Sequence, residues 1–257
     1  MEKIALLAPD QRYAGDVIKV LQRLGADGTA ALLGHLAAAH STGSGRMYMN
    51  ALREMRDGLH LAIEMLGHQE WFVVRNVCDL LGGLRVIDAV HALAKVLDHA
   101  EPRVWRAAAV ALAKIGTPAA AVHLRKTFKE GAPEIRGLVA GAIGGRASGA
   151  LAMPLVMAAD TEENPELVRE YLRALGRIGS PDAIQALASA AQPGGRLWGR
   201  RPIGPRLAAI ASLAIAGGAV AVKTLEGLAN DGDEEVRRSA GRALEELSKG
   251  GPKSEGP

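Results

Sequence analysis

With 257 residues, 48% of them apolar, the chain has the length and hydrophobicity to bury a substantial core, which excludes a disordered protein. Aromatic residues make up 3% of the chain against 31 glycines, so small aliphatic side chains fill that core, as between closely approaching helices. A net charge of +3 does not by itself mark a nucleic-acid protein, and a single cysteine, Cys78, excludes an internal disulfide and any zinc site built on several thiolates.

The opening stretch "EKIALLAPDQR" lacks a basic start, a long apolar run and a small-residue cleavage site, so no secretory signal is expected. Together with the lone thiol this points to a reducing, cytoplasmic setting. A first helix is predicted in "VIKVLQRLG" (17–25, anchor Leu21) and a second copy of it in "MNALREM" (49–55, anchor Leu52). The same pattern then recurs in "VVRNVCDLLGGL" (73–84), "VWRAAAVALAKI" (104–115), "IRGLVAGAIGGR" (135–146), "LVREYLRALGRI" (167–178), "PRLAAIASLAIA" (205–216) and "VRRSAGRALEEL" (236–247). Their anchors are Leu81, Leu112, Ile143, Leu175, Leu213 and Leu244, spaced by 31, 31, 32, 38 and 31 residues.

Within each copy the apolar residues recur at three and four positions, as in Val104, Ala108, Ala111, Leu112 and Ile115, which is the period of a helix face and not of a strand. Between the copies run second apolar helices such as "DAVHALAKVL", "AAAVHLRKTF", "DAIQALASAA" and "AVAVKTLEGLA", giving eight first helices and seven second ones. Thr117, Asn164 and Ser180, each followed by proline, are predicted N-caps. Gly25, Gly116 and Gly179 stand where helices must stop in a left-handed residue, and Asp231 with Glu234 has capping-box spacing. The longest uncharged run, 207–222, is short for a membrane span of about 20 residues. The last first-helix, 233–248, is expected to cap the array, followed by a disordered tail over 249–257.

On "EPRVWRAAAVALAKIGTPAAAVHL" and "NPELVREYLRALGRIGSPDAIQAL" the chain resembles the HEAT and HEAT-like (phycobilisome-lyase-type) repeat proteins of bacteria, over residues 12–248. The resemblance implies an all-α fold: a right-handed α-α superhelix of about eight helix pairs, one solenoid domain over 1–248. In such a stack the second helices line the concave side.

Candidate chemistry is sparse against that background. The seven histidines fall in the first half, but His68 and His99, like His60 and His91, are 31 residues apart, so the repeat itself accounts for them. The His-Glu dipeptides that carry iron in the deoxyhypusine hydroxylase branch of this fold are absent, and no metal or other cofactor is expected. No Ser-His-Asp set, phosphate-binding glycine loop or paired-acid motif stands out, so a non-enzymatic protein is expected. Cys78 is placed on the inward side of a first helix. Arg75, Arg106, Arg169 and Arg238 form a ladder broken at Gly137 and Leu207. Trp71, Phe72 and Trp105 stand at the starts of first helices, as loop staples or partner anchors. His91, Lys95 and Lys126, with Arg125 and Lys129, would make the concave middle mildly basic and suited to an acidic peptide.

The 38-residue spacing reflects an insertion around "GGRLWGRRPIGPR" (194–206), whose Arg196, Trp198, Arg200, Arg201 and Arg206 are candidate binding residues. These arginines either pair with the acidic loops "DTEENPE" (160–166) and "DGDEE" (231–235) or form an anion site with Trp198 as a stacking surface. The function expected from the sequence is a scaffold or adaptor that binds another protein. The alternatives are a nucleic-acid-binding module resembling the HEAT-like alkylpurine DNA glycosylases, and a chromophore-lyase-like partner protein.

Overall fold

The computed structural model describes residues 14–38, 48, 50–55, 57–194 and 203–249, and all regular structure among them is helical. Two compact units, Met1–Ile115 and Gly116–Pro257, divide the chain.

In the first unit, α1 (Ala14–Arg23) and α2 (Gly25–Ala38) are followed by helical residues at 50–53. Next come α3 (Leu59–Glu64), extended by a 3-10 turn over Met65–Gly67, then α4 (Trp71–Gly83), α5 (Val90–Val96) and α6 (Pro102–Ile115). The anchors Leu21, Leu52, Leu81 and Leu112 are all fully buried. Between α4 and α6 the backbones approach closely at Gly82, where a Cβ would stand 2.5 Å from Ala111 Cα. That contact is possible because position 82 has no side chain.

The second unit holds α7 (Pro118–Glu130), α8 (Pro133–Ala142), a 3-10 stretch over Arg146–Leu151 and α9 (Ala152–Thr161). It continues with α10 (Pro165–Ile178), α11 (Pro181–Ala191), α12 (Ile203–Ala216), α13 (Gly218–Leu228) and α14 (Glu234–Lys249). First helices α8, α10, α12 and α14 pack in succession, and second helices α7, α9, α11 and α13 pack in succession as a second layer. Ile143, Leu175 and Leu213 are buried as their anchor positions require, whereas Leu244 on α14, the last described helix, is only half-buried.

The predicted punctuation is found in atomic form. Thr117 Oγ1 accepts the Ala120 N–H at 3.3 Å, Asn164 Oδ1 the Glu166 N–H at 3.0 Å, and Ser180 Oγ the Ala183 N–H at 3.3 Å. Gly25, Gly116 and Gly179 have φ of 55°, 68° and 59°. The capping box at Asp231 is a misassignment: Asp233 caps α14, accepting the Glu235 and Val236 N–H groups at 2.9 and 3.3 Å, and Asp231 is directed elsewhere.

In the copy anchored at Leu81 the left-handed stop is not a glycine. Arg85 stands 31 residues before Gly116, at the same stop position, and adopts φ of 53° with a full side chain. A left-handed non-glycine residue costs roughly 1 kcal/mol. Arg85→Gly is therefore expected to raise stability by up to about 1 kcal/mol, less what glycine returns to the unfolded chain. A urea midpoint unchanged or lowered would contradict this.

α8 is shorter than the other long first helices and stops before its anchor, Ile143. Its exposed carbonyls are captured from the next first helix: Arg177 donates from Nε to Ile143 O and from Nη2 to Ala140 O, both at 2.8 Å. Arg177 also reaches Glu170 Oε1 at 3.0 Å, which fixes the guanidinium in place.

Candidate interaction surface

The residue three places ahead of a first helix has one task at four of the described first helices. His68 and His99 accept, at Nδ1, the N–H of Glu70 and Glu101 at 3.0 Å each, while Glu162 and Asp231 accept those of Asn164 and Asp233 at 3.0 and 2.9 Å. An acceptor side chain thus turns the loop into the helix at four equivalent places. The two paired histidine positions serve this turn, and His60 and His91 lie exposed.

Glu162 and Asp231 have a second partner each. Arg136 Nη1 on α8 bonds Glu162 Oε2, and Arg206 Nη2 on α12 bonds Asp231 Oδ2 at 2.6 Å while its Nε donates to Ala191 O at 2.9 Å. Both arginines occupy the same register of their first helices, the register that holds Trp105 in the preceding copy. The side chains of Arg206 and Asp231 are each 10% exposed. Arg206, expected among the binding residues of the basic stretch, is therefore turned inward and engaged by its own acidic loop. Burial tends to raise the Asp231 carboxyl. The Asp233 N–H, Arg206 and Arg237 outweigh it and hold the group below the usual carboxylate range. Arg196, Trp198, Arg200 and Arg201 lie outside the described residues.

Beside the Arg136 pair, Tyr171 on α10 is fully buried edge-on to Phe128, ring centroids 6.0 Å apart. Burial pushes its hydroxyl up to about 12. Glu162 of the acidic loop 160–166 is engaged by Arg136 on α8.

The arginine ladder is consumed close to home. Arg75 Nη2 donates to Asn76 Oδ1 at 2.7 Å, Arg106 lies 5.6 Å from the Trp105 ring, Arg169 pairs with Glu166 at 2.9 Å, and Arg238 pairs with Glu234. Trp71 lies under the Arg103 guanidinium at 4.0 Å. Cys78 is fully buried, its thiol pushed up to about 12 by burial and by neighbouring Asp79, which makes it inert as a nucleophile. Among the described residues, no three His, Cys, Asp or Glu side chains gather as a metal site would need, and no helix is long and apolar enough to cross a membrane.

The second helices leave both charged and apolar side chains toward solvent. His91 and Lys95 are exposed on α5, and Lys126 is exposed at the matching position of α7. In the second unit the second helices also carry large exposed apolar side chains: Val122 is 55% exposed, Met153 55%, Met157 65% and Val220 53%. Exposed methionines on adjacent turns are adaptable contact surface, of the kind that soft partners fill. The basic residues of the second helices stand out in the sequence and the methionines do not, although Met153 and Met157 lie 31 residues after Val122 and Lys126.

HEAT repeats match the chain over residues 59–136 and 127–196, more than half of its length. No curated protein matches. Among solved structures, the chain is similar to human deoxyhypusine hydroxylase in complex with glycerol, at 15% identity over 90% of this chain and 98% of that one, TM-score 0.40. It is also similar to the complex of CpcE and CpcF of phycocyanin lyase from Nostoc sp. PCC7120, at 19% identity over 95% and 94%, TM-score 0.44. An engineered protein shares 21% identity over 98% of both chains, TM-score 0.33.

Proposed function

The chain belongs to the HEAT-repeat family, and on that premise we propose that it is a non-enzymatic scaffold that binds another protein through the solvent face of its second helices. The observation that carries this reading is the division of labour between the two helix layers. Polar side chains at the first helices and their loops, including Arg136, Arg177, Arg206, His68 and His99, are engaged in holding repeats and turns together. The second helices present Val122, Met153, Met157 and Val220, each more than half exposed, whereas the large apolar side chains exposed on the first helices of this unit, Leu138, Ile203 and Ile215, are less so at 49%, 36% and 44%. Apolar surface left in water is a standing cost that a partner relieves.

Affinity capture from a cell extract tests the reading when wild-type protein is compared with Met153→Glu combined with Met157→Glu. Both side chains are exposed, so the substitutions are expected to leave thermal stability within about 0.5 kcal/mol and to abolish retention of the bound protein. A captured species that is unaffected by the double substitution would rule out this face. Tight duplex DNA binding at physiological salt, abolished by Arg200→Glu with Arg201→Glu, would favour the nucleic-acid alternative instead.

A further inference from the structure

We propose that the α7/α9 face is a dock for an acidic amphipathic helix of a partner protein, an inference that rests on the scaffold reading and specifies its occupant. α7 carries Arg125, Lys126 and Lys129, all exposed, against a single acid, Glu130, at its last position. Among the described residues no ion pair or hydrogen bond engages those three cations. Most arginines on the first helices of the same unit differ. Arg136, Arg169, Arg173, Arg177, Arg206 and Arg238 each have a carboxylate within reach.

Arg125 and Lys129 are four residues apart on one helix, Lys126 and Lys129 three apart, and like charges at these spacings repel by a few tenths of a kcal/mol per pair. Glu130, four residues after Lys126, offsets part of this charge, and Arg125 and Lys129 are left repelling each other. α9 packs on α7 and presents Met153 and Met157 one turn apart, and Val122 is exposed on α7 one turn before Lys126. Cations and methionines thus stand on two helices packed against each other. An incoming helix that places leucine-like residues at three and four spacing on the methionines brings the carboxylates on its flank over α7. A phosphate backbone would satisfy the cations but leave the methionines in water, so the combination selects an acidic protein segment over a nucleic acid.

The probe is a labelled synthetic peptide of about four helical turns, with leucines at three and four spacing and glutamates at the remaining positions. Its twin has lysine for every glutamate. Fluorescence anisotropy at physiological salt is expected to show binding of the acidic peptide. Arg125→Glu with Lys129→Glu should weaken that binding by about tenfold or more and favour the lysine twin, because charge complementarity across a contact reverses with its sign. Met153→Gln with Met157→Gln should weaken both. The proposal is overturned if the acidic peptide does not bind, if the lysine twin binds wild type equally well, or if charge reversal leaves affinity unchanged. Should extract capture still depend on Met153 and Met157 while the acidic peptide fails, the acidic occupant is wrong and the scaffold reading survives. Should capture also be independent of those methionines, both fall.

Discussion

Gly82→Val is expected to destabilise the unit Met1–Ile115 by about 3 kcal/mol, at the upper end for overpacking. The cause is geometric. A Cβ at position 82 meets Ala111 at 2.5 Å from Cα and 2.7 Å from Cβ, and a main-chain atom cannot swing aside as a flexible side-chain tip would. Either α4 and α6 separate, which loosens the fully buried Leu81 and Leu112, or the strain stays in place. Even Gly82→Ala should destabilise, although alanine is the better helix former by roughly 1 kcal/mol. Gly34 supplies the internal comparison: it is exposed inside α2, and a methyl group added there would have no neighbour within 4 Å, so Gly34→Ala is expected to stabilise. Urea denaturation of the two alanine variants should give midpoints on opposite sides of wild type; shifts of the same sign would refute the close approach.

Asp231→Ala is the second large effect, with a loss of about 3 to 5 kcal/mol. Removing the carboxylate leaves Arg206 nine-tenths buried with one bond, to Ala191 O, and deprives the Asp233 N–H of its acceptor. Replacing both charges, as in Arg206→Met with Asp231→Leu, should cost less than Asp231→Ala alone, because no buried charge is then left without a partner. The same pair sets an acid limit. Since the folded Asp231 carboxyl is held below its ordinary value of about 3.9, its stabilisation is present above that value and disappears as pH falls through the folded one. Wild type should therefore lose more stability than Asp231→Asn on acidification below about pH 4. Parallel acid titrations of the two proteins would disprove the coupling.

The repeat, its anchors and its helix caps are readable from the chain because each follows from local rules: apolar period, a side-chain acceptor before proline, a left-handed stop. Ile143 shows how far this goes, since the repeat places it correctly as a buried anchor even though α8 ends one residue earlier. What is not legible lies between residues 25 to 37 positions apart. Arg206 with Asp231, Arg136 with Glu162 and Arg177 with Ala140 O depend on how one helix pair stacks on the next. Asp231 invites misreading because its spacing to Glu234 satisfies a capping box as well as any true cap does; burial beside Arg206 decides its role, and burial is not a local property. Of the candidate binding residues, His91 and Lys95 are exposed on α5 of the first unit, Lys126 is exposed on α7 of the second, and Arg206 is turned inward. The methionines are hidden in the sequence because at helical spacing they read as core.

The arginine clamps also fix where this architecture can be cut. Arg136 and Glu162, like Arg206 and Asp231, belong to neighbouring copies if the copies are divided at the start of each first helix's approach loop. A segment duplicated or deleted in that frame would strand one buried guanidinium or one carboxylate. Frames of 133–162 or 203–231 keep donor and acceptor together. At these two copies the cut that leaves no buried charge without its partner is offset from the helix pair that the eye picks out.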